Sequence, residues 1–409
     1  MQLSLRIVVA SAVIAACGDS GPKLDAPVVT TLANGAAEVK NSGPSGWADT
    51  TGWRLVELYR VGGAEAEGTP GELVQPQSIT LDAAGGLYVS DEKPALIKQF
   101  GPDGRYVRSF GREGGGPGEF QVAFIAAAPG ALAVHDPRSS RTSVFDSAGN
   151  FLRSWPSSCC YWSSIRVTRD TLIHIPTSGP ATDMGEPGNT YYLRYRLDGT
   201  FVDTLVIDTP RPDGAQNFWM LQGGSGNNKM TMMLGIPLAP DATWAIDPAG
   251  GAVVGWTAEY RFVATRTGQD TVQVVELARS PVTVPDARRE QIRDSMVNDY
   301  ARQFDRKAVE DAFKLSGIPS TAPYYESIQV DGRRNRWLRP DDGGNRANAR
   351  FDVFDSTGAY LGAVPVPATF GNSWGTVWGT DRVATATEDD DGLPVVVVYR
   401  VERTTGGRK

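Results

Sequence analysis

The sequence predicts an all-β fold, a six-bladed β-propeller of four-stranded antiparallel blades with one helical insertion, and three observations carry that prediction. The first is a hairpin written five times. It reads Phe100-Gly101-Pro102-Asp103-Gly104-Arg105-Tyr106-Val107 and recurs at 145–152, 196–202, 264–271 and 354–361, with Gly149, Gly199, Gly268 and Gly358 in the turns. The second is an earlier tight turn between two short strands, at 79–91 around Asp82-Ala83-Ala84-Gly85-Gly86 and again at 244–254 around Asp247-Pro248-Ala249-Gly250-Gly251. Two strands followed by a hairpin pair make a unit of about 45 residues, the period of a propeller blade. The third is an unmatched strand near the start, 53–61, set against three strands without a fourth at the end, 374–378, 382–388 and 394–400.

Each element follows from local chemistry. Glycine supplies the positive φ of the tight turns, and aspartate or proline fixes the way in. The outermost strands are expected at 105–111, 151–155, 201–207, 270–277 and 360–366. Gly68-Thr69-Pro70-Gly71-Glu72-Leu73 closely matches Gly115-Gly116-Pro117-Gly118-Glu119-Phe120, the linker behind 105–111. Residues 53–61 therefore hold the outermost place in a blade, and they complete the last one. Closing the ring in this way removes open sheet edges.

Composition agrees with many short strands and tight turns: 46 glycines and 27 prolines in 409 residues. The net charge of −7 offers no basic field for nucleic acid, so no nucleic-acid partner is expected. From Pro285 to Gly317 the turns vanish and charges dominate. There Ile292, Met296, Tyr300 and Phe304 recur every fourth residue, which predicts an amphipathic helical insertion over about 285–317. Its apolar stripe is expected to pack across one face of the propeller.

At the N-terminus Arg6 precedes an apolar run from Ile7 to Ala16 and then Cys17. The run is too short for a spanning helix and right for a signal-peptide core. Ile14-Ala15-Ala16-Cys17 resembles the lipobox of bacterial lipoproteins. That resemblance implies a signal peptide over 1–17, acylation of Cys17, and an envelope protein held by its lipid; Gly18 after the cysteine implies the outer membrane. Residues 18–50 are poor in apolar period and read as a flexible tether, 51–403 as the propeller, and 404–409 as a tail. Cys159 and Cys160 are adjacent. They admit a vicinal disulfide, two half-buried thiols at a strand end, or intermolecular pairing.

The segment 110–120, with Leu87-Tyr88-Val89-Ser90-Asp91 and the Phe-x-x-x-Gly hairpins, resembles the NHL-repeat group, and within it the six-bladed propeller lipoproteins of bacteria. The likeness is good over 76–155 and weaker afterwards. It implies a fold and carries little about activity, because propellers of this group include scaffolds, ligand sensors and some lyases.

Chemistry is sparse in the sequence. His135 and His174 are the only histidines, zinc spacing motifs are missing, and no Gly-x-Ser-x-Gly stretch survives inspection as the nucleophile elbow of a Ser/His/Asp triad. Asp82, Asp91, Asp103, Asp136, Asp146, Asp198, Asp247 and Asp355 all have turn or strand-end explanations, and 389–392 reads as a solvated acidic loop. What remains is a binding surface on irregular loops at 176–189, 209–236 and 335–348. Candidate binding residues are Phe218, Trp219 and Met220, beside Met230, Met232 and Met233, with a basic cluster that includes Arg333, Arg334, Arg336, Arg339 and Arg346. The leading expectation is a monomeric, non-catalytic module for a protein, small molecule or glycan, without a cofactor or metal. The alternatives are a calcium-dependent lactonase-like hydrolase at the channel mouth and an assembly scaffold.

Overall fold

The computed structural model describes residues 26–42, 53–159, 163–179, 188–210, 217–223, 230–343, 349–367, 370–371 and 375–403. Six antiparallel sheets are arranged as blades, each built outward from the channel. Blade 1 runs Pro76–Leu81, Leu87–Glu92, Ala95–Phe100 and Tyr106–Phe110, and blade 2 runs Phe124–Ala128, Ala131–Asp136, Arg141–Asp146 and Phe151–Pro156. Blade 3 is Arg166–Val167, Ile173–Thr177, Asn189–Tyr195 and Phe201–Asp208, and blade 4 is Ala242–Ile246, Ala252–Trp256, Arg261–Thr265 and Thr271–Leu277. Blade 5 is Tyr325–Val330, Arg336–Pro340, Arg350–Phe354 and Tyr360–Pro365. Blade 6 joins the two ends of the chain: Thr376–Trp378, Arg382–Glu388 and Pro394–Arg403 receive Trp53–Gly62 as their outermost strand, with Val56 opposite Arg400. The expected six blades and their closure are what the fold shows.

Side chains alternate across each strand, so every blade presents one apolar face to the blade before it and one to the blade after it. Leu87 and Val89 pack against Ala384, Val396 and Val398 of blade 6, while Tyr88 and Ile97 pack with Phe120, Ile125 and Leu132 toward blade 2. Between blades 5 and 6 Trp337, wholly buried, stacks on Trp378 at 4.2 Å and meets Phe351 edge-on. The hydrophobic core is thus a ring of packets between blades. Each is removed from water only when its neighbours are present.

The repeated hairpin glycine has a second task beyond its turn. At Gly149 (φ +84°) a Cβ would lie 2.7 Å from the Phe110 ring of blade 1, and at Gly104 (φ +81°) 2.6 Å from the Tyr59 ring of blade 6. These two turns, and that at Gly199 on Trp155, seat themselves on an aromatic side chain of the preceding blade's outer strand, while Gly268 and Gly358 abut Val206 and Val275 there. The same residue therefore sets both the hairpin and the blade spacing.

Two expectations need correction. The segment 18–50 is not a tether throughout. Val28–Thr31 and Ala37–Asn41 are strands, and the second runs parallel to Thr271–Leu277 as a fifth strand on blade 4, with Ala37 opposite Gln273. Alternation explains it: Val39 and Asn41 are buried while Lys40 is exposed. Asn41 donates to the carbonyls of Glu276 (3.1 Å) and Gly358 (3.0 Å) and accepts from the Tyr360 amide (2.8 Å), so it ties the added strand to blade 5 as well.

The second correction concerns the insertion, which holds two helices, α1 (Asp286–Tyr300) and α2 (Arg306–Ala312), where one stripe was expected. Asp305 caps α2 by accepting from the Ala308 amide at 3.0 Å. The apolar side chains of Ile292, Met296, Tyr300 and Phe304 pack on an inserted hairpin, Phe218–Gly223 with Met230–Gly235, rather than on a blade face. Hairpin and helices together bury Val297, Val309, Phe313 and Ile318 in a satellite core.

Candidate ligand-binding cleft

Strand direction alternates within each blade, so the two faces of the ring differ by construction. One face carries the turns between first and second strands and between third and fourth. The other carries the loops between second and third strands and all the blade-to-blade connections. On the turn face the aspartates are committed to backbone: Asp82 accepts from Ala84 (2.9 Å) and Gly86 (2.8 Å), Asp146 from Ala148 and Asn150, Asp355 from Thr357 and Ala359. The loop face has its own committed acids. Asp91 accepts from the amides of Val74 and Gln75 and from Lys98, Asp136 from Gln121, and Asp389 from Ala64, Asp391 and Leu393. Turn and strand-end chemistry accounts for these carboxylates.

The loop face is most elaborated around blades 3 to 5, where the inserted hairpin, both helices and the long loops all emerge. A cleft of about 530 Å³ opens there between blades 3 and 4. Gly188, Asp208, Thr209 and Pro210 supply one wall; residues 254–256, Glu259 and residues 261–263 supply the other. Asp208 and Glu259 are exposed, Thr209 is buried, and Trp256 is half-buried. Arg261 pairs with Glu276 at 3.5 Å and its carbonyl accepts from the Tyr325 hydroxyl at 2.7 Å, which fixes this strand against blade 5. The cleft thus offers an aromatic ring, two acids and one arginine around an opening of ligand size.

Toward the turn face the interface between blades 3 and 4 carries a polar row. In blade 3 the row across the sheet, read by register, is Arg166, His174, Arg194 and Asp203, with Arg194 paired to Asp203. The matching row in blade 2 is Ala126, Ala133, Val144 and Arg153. Tyr192, Leu205, Ile207, Ala252 and Val254 form the remaining apolar packet between blades 3 and 4.

The residues singled out from sequence are not gathered into this site. Trp219 is only 4% exposed and stacks on Phe313 at 4.8 Å, so it is the centre of the satellite core. Phe218 is half-buried beside it, and Met220 is exposed opposite an exposed Met233 on the outer side of the hairpin. The basic cluster is dispersed as well. Arg336 is 1% exposed and donates to the Asp355 carbonyl; Arg339 is 6% exposed, pairs with Glu326 and donates to the Gly371 carbonyl at 3.2 Å. Arg334 clamps Asp247 of blade 4 at 2.9 Å. Neighbouring arginines on a strand point to opposite faces, and these find acids or carbonyls between blades instead of forming a surface patch. Cys159 is exposed; Cys17, Cys160 and Arg346 lie outside the described residues.

Both histidines are wholly buried, in different blades. Burial lowers each pKa to about 4, and the Arg194 charge adds to the effect at His174. Among the described residues no three His, Cys, Asp or Glu side chains converge as a cation site. The densest ionic group is a buried lattice joining blades 4 and 5. The Tyr260 hydroxyl and Arg279 (3.3 Å) donate to one oxygen of Asp352, Tyr360 (3.0 Å) donates to the other, and Asp342 bridges Arg279 to Arg350. Its acceptors are all occupied by fixed donors, which marks it as a clamp.

The comparisons with known proteins concern the chain trace. No protein-family model matches this chain, and no curated protein matches it. Among solved structures it is similar to a candidate exported protein from Bacteroides fragilis (11% identity, TM-score 0.46, covering 89% of this chain and 99% of that one). It is also similar to a member of the DUF4221 family from Bacteroides vulgatus (11% identity, TM-score 0.44, 86% and 99%) and to virginiamycin B lyase from Staphylococcus aureus (10% identity, TM-score 0.36, 84% and 99%). The blade-by-blade register above is what defines the propeller. Among the described residues no helix is long and apolar enough to cross a membrane.

Proposed function

We propose that this protein is an envelope-anchored, non-catalytic binding module whose ligand occupies the cleft between blades 3 and 4. The observation that carries the reading is the cleft itself: about 530 Å³, on the loop-rich face, with Trp256 beside Asp208, Glu259 and Thr209. An indole face with hydrogen-bonding acids at its rim suits a hydroxyl-rich ligand, a sugar unit of an envelope glycan, better than it suits an anion. Anchoring through acylated Cys17 at the outer membrane completes the proposal, and it rests on the lipobox-like Ile14-Ala15-Ala16-Cys17.

The experiment is retention of the protein on immobilised envelope glycans. Trp256→Ala is expected to weaken retention tenfold or more, since a stacked aromatic anchor is worth about 1–3 kcal/mol. Equal retention of wild type and Trp256→Ala would refute the cleft as the site. For the anchor, Cys17→Ser is expected to move the protein from the membrane to the soluble fraction; unchanged fractionation would refute acylation.

A further inference from the structure

The first strands of all six blades surround the central channel, and their inner edges have no neighbouring strand, so alternate backbone groups face the lumen. Near the turn face the channel encloses a cavity of about 130 Å³ with walls from every blade. Register places six residues at one level of the first strands: Thr80, Ala126, Arg166, Ala245, Gln329 and Val377. Five are neutral. Arg166 alone is charged, and it lines the cavity.

Arg166 donates to the carbonyl of its neighbour Ile165 at 3.0 Å and has no ion-pair partner among the described residues. Its surroundings are inhospitable to a lone cation. Burial pulls its pKa down, and the opposing influence comes from Tyr192 with no carboxylate contributing. The acids nearby are already engaged: Asp247 with Arg334, Asp331 with Asn335 and Trp337, Asp170 with the Thr168 hydroxyl. Arg166 is half-buried in the cavity wall, and a guanidinium does not shed its proton, so one drawn partly out of water without a counter-charge carries a penalty that a bound anion would relieve. Its planar fork matches oxyanions.

Other donors converge on the same end. Thr80 Oγ1 accepts from the Ala127 amide at 3.1 Å, which leaves its hydroxyl proton free to donate inward. Arg169, in the turn that follows Arg166, reaches across the mouth: its amide donates to the Pro248 carbonyl at 2.8 Å and its guanidinium to the Gly332 carbonyl of blade 5. A second positive charge therefore stands over the opening. At roughly 30 Å³ per water, the cavity holds about four waters or one small anion.

We propose that the turn-face end of the channel is an anion site in which Arg166 grips a small oxyanion, either an inorganic one such as phosphate or the carboxylate of a small acid. The site is separate from the cleft and stands whether or not the cleft binds glycan.

Calorimetric titration of the full soluble chain with inorganic phosphate, and separately with acetate, at constant ionic strength tests it and tells the two sources apart. Saturable binding of at least one probe is expected, weakened tenfold or more in Arg166→Gln, partly kept in Arg166→Lys and unchanged in Trp256→Ala. Absence of saturable binding of both probes at millimolar concentration by wild type would overturn the proposal. So would equal binding by a folded Arg166→Gln. Should that variant fail to fold, Arg166→Lys decides, and an unaltered affinity of the lysine variant for the probe that wild type binds counts against the site.

Discussion

Lowering the pH from 7 to 4 is expected to remove about 3 kcal/mol of stability for each of His135 and His174. Both imidazoles are wholly buried and both titrate near 4 in the fold, against 6.5 as the ordinary value. The sign follows from linkage. Between pH 6.5 and 4 the unfolded chain binds protons on these rings and the native state does not, so stability is full above 6.5 and is lost as the pH falls through that window. His135 Nδ1 lies 3.2 Å from the Thr142 hydroxyl and 3.3 Å from that of Ser157, and Asp136 pulls modestly the other way; at His174 the Arg194 charge reinforces burial. Asp331 and Asp352, held above the usual carboxylate range by burial, act in the opposite sense. Urea midpoints of wild type and a His135→Gln/His174→Gln double variant at pH 7, 5.5 and 4 separate these contributions. The double variant should show a clearly shallower fall; parallel curves would refute the histidine account.

The second large effect is expected at Asp352. Removing its carboxylate in Asp352→Ala deprives Tyr260 and Tyr360 of their acceptor and takes one of its carboxylate partners from Arg279. Breaking a buried, fully bonded charge in this way costs about 3–5 kcal/mol. A single hydroxyl deletion, Tyr360→Phe, should cost only about 1 kcal/mol. Chemical denaturation of the three proteins checks the order. If Asp352→Ala falls within about 1 kcal/mol of wild type, the lattice does not clamp blades 4 and 5.

The fold was legible because its signals are local and repeated. Asp146 and Gly149 write a hairpin within five residues, and the same pair recurs as Asp355 and Gly358. Ring closure was legible because the linker 68–73 copies 115–120, which identifies the place of Trp53–Gly62 without any contact being known. Residues 37–41 gave no such signal, because a strand added to a blade's outer edge needs to bury only one side. Val39 and Asn41 suffice for that, and Glu38 and Lys40 make the stretch read as polar.

The binding surface was harder to read for a different reason. Trp219 looked like a ligand anchor because its partner Phe313 lies in the other insertion, far along the chain. Arg336 and Arg339 looked like a patch because sequence shows adjacency and not the alternation that buries them. Asp208, Glu259 and Arg261 come together only when two blades stand side by side, so no motif announces the cleft.

The strand Ala37–Asn41 has a mechanical consequence. A tug from the N-terminal side meets first the hairpin it forms with Val28–Thr31, which unzips rung by rung from the pair Val28–Lys40. The load then passes to the parallel ladder along Thr271–Leu277, where five aligned residue pairs from Ala37–Gln273 to Asn41–Leu277 share the shear. Asn41, bonded to blades 4 and 5 together, is the last stitch before tension reaches the ring.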